Sequence, residues 1–153
     1  MVKLEPMDAV DFAAFIERLI PPYAAERAAA DHVSLEAAEQ FARKQTGEIL
    51  TQGHLTPGQL LFNVENAEQE RVGDLWVKFD ADAQEAFVYE INIYPAFRRQ
   101  GLASAALNAV QALLKAQGCR VLGLNVFAPN HGAQALYAKL GFAVQSSYMN
   151  KRL

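Results

Sequence analysis

Tyr94-Pro95-Ala96-Phe97-Arg98-Arg99-Gln100-Gly101-Leu102-Ala103-Ser104 decides how the rest of the chain is read. Before it, Phe87 to Tyr94 is rich in aromatic and β-branched residues and is predicted as a strand. After it, Leu102, Ala106, Leu107, Val110, Leu113 and Leu114 recur at helical spacing, which predicts a helix from about Gly101 to Gln117 stopped by Gly118. A strand that feeds a helix through a tight turn of small residues aims several backbone N–H groups outward. With the helix dipole behind them, those groups favour an anion. Gly101 allows close backbone approach, Ala103 keeps the helix start low, and Arg98 and Arg99 add positive charge. Arg98-x-x-Gly101-x-Ala103 therefore suits a pyrophosphate, though read alone it is equally a plain strand–helix connection with solvated arginines. It is not a P-loop, because the Gly-Lys-Ser/Thr ending is missing. It is not a dinucleotide fingerprint either, because the first glycine is missing and the strands before it read as hairpins.

Working outward, Met1 to Met7 alternates as an edge strand. Asp8 is predicted to cap a helix through Phe12, Phe15, Ile16, Leu19 and Ile20, with Pro21-Pro22 stopping it. Tyr23 to His32 then reads as a polar stretch. Ser34 caps a second helix, to about Leu50, with Leu35, Ala38, Phe41 and Ala42 as its apolar stripe. Gly53 to Gly58 is a loop. Leu60 to Val64 and Val72 to Phe79 are predicted as an antiparallel strand pair ahead of Phe87 to Tyr94. Beyond the central helix come a strand, Val121 to Phe127, a short helix, Asn130 to Leu140, stopped by Gly141, and a last strand, Phe142 to Met149. The predicted order is β-α-α-β-β-β-α-β-α-β, a mixed α/β (α+β) arrangement occupying residues 1–153 as one domain.

Composition agrees with that scale. The chain has 153 residues, 52% of them hydrophobic and 20% charged, which suits one core. With a net charge of −3, nothing suggests a polybasic nucleic-acid surface. A single cysteine, Cys119, excludes an internal disulfide, and three scattered histidines give no metal-ligand spacing, so no metal site is expected. The first residues carry early acids and no long apolar run, and no stretch reaches the roughly 18 apolar residues of a membrane span. The expectation is a cytoplasmic protein without a membrane or nucleic-acid partner.

Two segments together resemble a known family. Ile91-x-Ile93-x-Pro95-x-Phe97-Arg98-Arg99-Gln100-Gly101-Leu102-Ala103 resembles motif A of the GNAT N-acetyltransferases. Asn130-His-Gly-Ala133-Gln-Ala-Leu136-Tyr137-Ala-Lys139-Leu140-Gly141-Phe142 resembles their motif B. The order and separation match, and the likeness extends over most of the chain. Ala103 stands where glycine is commoner, and Gly132 weakens the first turn of the last predicted helix. The resemblance implies the GNAT acyl-CoA N-acyltransferase fold: a mixed, mostly antiparallel sheet flanked by helices.

It also implies acetyl-CoA as cofactor and a small-molecule or protein amine as acceptor, attacked directly in a ternary complex. The backbones of Ile91 and Ile93 would meet the pantetheine arm, with the Ile91 N–H on the acetyl oxygen. Arg98, Arg99, Gln100, Gly101, Leu102, Ala103 and Ser104 would hold the pyrophosphate, and Asn130 would touch the cofactor arm as well as cap its helix. Tyr137 would protonate the leaving thiolate, or else is a packed aromatic. Glu90, on a mid-sheet strand, is either the base for the incoming ammonium or a buried partner in a hydrogen bond. Strand alternation would put Glu90, Asn92 and Tyr94 on one face and Tyr89, Ile91 and Ile93 on the other. Tyr23, Glu26, Arg27, Trp76, Phe87 and Tyr89 are candidates for the acceptor site by position, and Glu26 suits a cation. Cys119 has no sequence partner to act as base and reads as structural, not as an acyl carrier. A non-catalytic acyl-CoA sensor on the same fold, or an unrelated α/β nucleotide-binding protein, stays open, as does monomer or homodimer.

Overall fold

A computed structural model describes residues 1–153. The elements are β1 (Lys3–Pro6), α1 (Ala9–Asp31), α2 (Leu35–Ile49), β2 (Gln59–Glu65), β3 (Arg71–Asp80), β4 (Glu85–Ile93), α3 (Leu102–Ala116), β5 (Val121–Leu124) and α4 (His131–Lys139). One sheet runs in the order β1-β2-β3-β4-β5, antiparallel except for the parallel β4–β5 pair. This is the mixed, mostly antiparallel sheet that the family resemblance implies. No helix is long and apolar enough to cross a membrane.

The sheet separates two apolar layers. On one face, Leu75, Val77, Val88 and Ile93 pack with Ala106, Leu107, Val110 and Leu114 of α3. On the other, Leu61 and Trp76 pack with Phe15 and Leu19 of α1. The capping box of α1 is reciprocal: the Asp11 N–H donates to Asp8 at 2.8 Å and the Asp8 N–H donates to Asp11 at 3.3 Å. Asp11 also accepts from Asn63 of β2 at 3.0 Å and pairs with Arg71 of β3, which docks the start of α1 on the sheet.

Four expectations are corrected. The first helix does not stop at Pro21-Pro22 but continues through Tyr23 to Asp31. Prolines inside a helix remove two ladder donors. Here Ala24, Ala25, Ala28, Ala29 and Ala30 restore helix propensity, Arg27 pairs with Asp31 one turn on, and Tyr23 bonds Gln45 of α2 at 3.0 Å. The apolar stripe of α2 is buried only at Ala38 and Ala42, because the helix meets α1 through small residues and leaves Leu35 and Phe41 outside. The strand after α3 ends at Leu124, not at Phe127.

No strand forms over Phe142 to Met149. Strand propensity states what a residue tolerates, whereas a strand exists only beside a partner edge, and this segment pairs with none of the sheet's edges.

Candidate active site

The Arg98–Ser104 turn folds as its residue types demand. A single 3-10 turn, Pro95–Phe97, brings β4 round, and Gly101 enters α3 at φ +73°, a backbone conformation disfavoured for side-chain-bearing residues. A Cβ at Gly101 would meet nothing within 4 Å, so the space above it is open. The six N–H groups from Arg99 to Ser104 donate to no carbonyl or side chain, and the last three belong to the first turn of α3. Ile93, Phe97, Arg98, Gly101, Ala103 and Ser104 line a cleft at this point, closed on the far side by Leu136 of α4. The cradle fits a diphosphate. The Arg98 guanidinium is occupied otherwise: its Nε donates to the Ile93 carbonyl at 2.8 Å and so fixes the turn to the end of β4. Arg99 and Gln100 are exposed at the rim.

The cleft continues because the sheet splits. β4 and β5 pair only from Glu85 to Val88, against Val121 to Leu124, and from Tyr89 onward β4 has no neighbour on that side. The split starts where β4 changes pitch. Trp76 lies opposite Glu90 and Val77 opposite Val88, so Tyr89 is an extra residue, a β-bulge. The bulge corrects the strict alternation predicted for this strand. Ala86 and Val88 face α3 before it, Ile91 and Ile93 face α3 after it, and Tyr89 turns to the other side onto Trp76, with ring centroids 4.6 Å apart. Ile91 and Ile93 thus sit at the open edge of β4, where an extended chain would pair.

Glu90 stands at this bulge, largely buried. Burial pushes its carboxyl pKa from 4.5 to about 7, with the negative charges of Glu26 and Asp74 adding to the rise and the Ile91 amide drawing it back. Glu26, at the far end of the extended α1, is also raised by burial. Tyr137 on α4 is half-buried. Burial raises its hydroxyl pKa, and Glu90 and Glu26 raise it further, so all three side chains address one region. The Tyr137 ring packs edge-on to Phe142 at 5.8 Å. A carboxylate with a pKa near neutrality and a phenol that keeps its proton are suited to accept and donate protons respectively.

Beneath them lies a network that the sequence reading missed. Asp74 of β3 is 1% exposed and accepts from Arg18 Nε at 3.0 Å, Arg18 Nη2 at 2.8 Å and the Tyr94 hydroxyl at 2.8 Å. The Arg18 guanidinium also lies over the Tyr94 ring, 5.2 Å from its centre. Tyr94 precedes the Arg98–Ser104 turn and Arg18 sits on α1, so Asp74 holds that turn and the Glu26-bearing helix in one frame. The signal was present: an acid between Gly73 and Leu75-Trp76 in an otherwise apolar strand. Gly73 permits the close approach, since a Cβ there would meet the Asn92 carbonyl at 2.3 Å. Asp74→Ala strands a half-buried guanidinium, and urea unfolding is expected to show a loss of about 3 kcal/mol.

Other predicted residues fall into structural positions. The Asn130 side chain caps α4, accepting from the Ala133 N–H at 3.1 Å. Tyr23 is committed to α2 through Gln45, and Arg27 to Asp31. Trp76 is buried, its indole N–H donating to Gln59 at 2.8 Å, while the Tyr89 ring lies on it and reaches the surface and Phe87 packs edge-on to Tyr89. The Cys119 thiol donates to the Val121 carbonyl at 3.3 Å and packs on the α3 layer.

Comparisons with known proteins agree with this fold. The family model described as "Acetyltransferase (GNAT) family" matches residues 25–142. The chain is 31% identical to the uncharacterised N-acetyltransferase YycN of Bacillus subtilis over 154 residues, covering 99% of each protein. It is 30% identical to YdgE, an uncharacterised N-acetyltransferase of the same organism, covering 98% of this chain and 97% of that protein. The crystal structure of YycN superposes with a TM-score of 0.94, covering 100% of this chain and 99% of that one. The PaiA N-acetyltransferase of Thermoplasma acidophilum, solved in complex with coenzyme A, shares the fold at a TM-score of 0.71 and 17% identity, covering 97% and 93% of the two chains.

Proposed function

The chain belongs to the GNAT acetyltransferase family, and on that premise we propose that it transfers the acetyl group of acetyl-CoA to a primary amine by direct attack in a ternary complex. The observation that carries the reading is the run of six undonated N–H groups from Arg99 to Ser104 opening onto a split sheet with Glu90 at the split. Residues 1–153 act as one domain, and a cytoplasmic setting provides both the cofactor and amines.

The N–H groups of Arg99 to Ser104 hold the pyrophosphate, with Arg99 and Gln100 at the rim. Arg98 positions the turn. The exposed edge of β4 at Ile91 and Ile93 aligns the pantetheine arm by backbone hydrogen bonds, flanked on α4 by Leu136 and the Asn130 cap. Bound acetyl-CoA supplies an acetyl group activated as a thioester. The Ile91 N–H, which also draws on the Glu90 carboxylate, would meet the acetyl carbonyl oxygen and stabilise developing negative charge there. Glu90 takes a proton from the substrate ammonium, directly or through water. With a pKa of about 7 it is about half ionised at neutral pH, and its ionised form is more basic than an ordinary carboxylate. Tyr137 gives its proton to the departing sulfur. Glu26 and the exposed ring of Tyr89 favour a cation approaching from the α1 side, with Trp76 as the floor beneath Tyr89 and Tyr23 bracing the helix pair. Cys119 takes no part, since its thiol is committed to a backbone carbonyl.

Tyr137→Phe keeps the ring and removes the proton. The expected result is a kcat lowered by about 10- to 100-fold with the KM for acetyl-CoA within about twofold of wild type. A matched fall in affinity instead would mark Tyr137 as a packing residue.

A further inference from the structure

Glu26 forms no hydrogen bond or ion pair within the chain, whereas the donors near it on α1 and on the sheet beneath are committed. Arg18 is held by Asp74, Arg27 by Asp31, the Tyr23 hydroxyl by Gln45 and the Trp76 indole N–H by Gln59. The helix carries Glu26 to the cleft because α1 runs on past Pro21-Pro22 to Asp31. Its carboxylate addresses Glu90 and Tyr137: its negative charge raises the pKa of each, and burial raises its own. The floor of this region is aromatic. The bulge turns Tyr89 onto Trp76 and leaves it 37% exposed, and Phe87 packs edge-on to Tyr89 with ring centroids 5.1 Å apart. Gly123 of β5, level with Phe87, adds no side chain over that floor, and a Cβ there would meet the Phe87 ring at 3.5 Å.

We propose that the acceptor is an aliphatic diamine or polyamine, and that Glu26 selects it by holding a second ammonium beside the Tyr89 ring while the first reacts at Glu90. The inference rests on the proposed acetyl transfer in the same cleft and names its substrate class. Charge decides between one ammonium and two. Asp74, the third acid of the region, already has Arg18. The reacting ammonium loses its proton to Glu90, so it leaves no positive charge for Glu26. A partly desolvated carboxylate without a partner is unfavourable, and a second ammonium removes that cost. The exposed face of an electron-rich ring adds attraction for the same cation. An acceptor that carries a carboxylate at its far end meets like charge instead. The stem between the nitrogens is also specified. Methylenes suit the aromatic floor, whereas the hydroxyls of an amino sugar would find Tyr23, Arg27 and the Trp76 indole already bonded. Acetylation of one end removes that end's charge, so a diamine is acetylated once and its product is a poor acceptor.

Putrescine, butylamine and γ-aminobutyrate test this, because they present the same amine on a four-carbon chain and differ at the far end, and glucosamine tests the stem. Wild type is expected to use putrescine over butylamine by about 30-fold in kcat/KM, with γ-aminobutyrate and glucosamine below butylamine. Glu26→Gln is expected to bring the putrescine-to-butylamine ratio within about threefold, and Glu26→Lys to place γ-aminobutyrate above putrescine. Ratios are the readout because loss of the Glu26 charge also lowers the Glu90 pKa, an effect common to every acceptor. Equal use of putrescine and butylamine by wild type overturns the proposal, as does an unchanged ratio in Glu26→Gln or a preference for glucosamine. Acetyl transfer itself would survive any of those results. If no amine is acetylated, calorimetric titration of putrescine, with and without coenzyme A, decides. Binding weakened about 30-fold by Glu26→Gln keeps the diamine subsite and removes the proposed reaction. Binding that is absent, or equal in the two proteins, removes the subsite as well.

Discussion

Gly101→Glu is expected to abolish acetyl-CoA binding, with the calorimetric dissociation constant raised at least about 100-fold. The position is open above its Cα, so glutamate fits sterically and its carboxylate enters the space the N–H cradle faces. Two anions then compete for one set of donors. Backbone strain is the separate, smaller effect, because a side chain at φ +73° costs about 1–2 kcal/mol. Gly101→Ala isolates that cost. It should lower stability by about this amount while weakening acetyl-CoA by less than about tenfold. If both variants lose binding equally, strain in the turn is responsible. If neither does, the diphosphate lies elsewhere.

Glu90→Gln is expected to lower kcat by about 100- to 1,000-fold and to remove the acidic limb of the pH profile. In wild type, kcat/KM rises with pH up to about 7, as the carboxyl loses its proton. Glu26 and Asp74 add negative charge that keeps the pKa high, and Tyr137 faces the same region. The same shift has a stability consequence of defined sign. The folded pKa lies above the unfolded value of 4.5, so between 4.5 and about 7 the folded chain binds a proton that the unfolded chain does not. Stability contributed by Glu90 is therefore full below about pH 4.5 and is lost as pH rises through 7, by at most about 3 kcal/mol. Glutamine carries no such penalty. The variant should melt higher than wild type at pH 8 and with wild type at pH 4. An inactive variant that is also destabilised at pH 8 would mean that Glu90 is a structural partner.

The Arg98–Ser104 turn, as a connection between strand and helix, was legible because local chemistry dictates it. Gly101 must take a positive φ, and the α3 stripe has helical spacing. The hairpins of β2, β3 and β4 were legible for the same reason. What sequence reading lost depends on partners distant in the chain. Pro21-Pro22 reads as a stop, but α1 is held past it by Ala24 in the core and by Tyr23 on α2. The bulge at Tyr89 is a register property of two strands, invisible in either alone, and it decides which side chains Glu90 accompanies. Asp74 is a lone charge in sequence, and it becomes the centre of a network only when Arg18 and Tyr94 arrive from other elements. Residues 142–149 have the composition of a strand, yet no edge within the molecule receives them.

The most direct test of the central claim is release of free coenzyme A thiol from acetyl-CoA by the wild-type protein, across a panel of primary amines at pH 8. Acetylated amine is measured by mass spectrometry in the same samples. The account predicts thiol release only when an amine is present, one acetylated amine per thiol, and a rate cut by both Tyr137→Phe and Glu90→Gln. Tight acetyl-CoA binding with no release above the hydrolysis background for any amine would contradict it, and would make the protein an acyl-CoA sensor on an acetyltransferase fold.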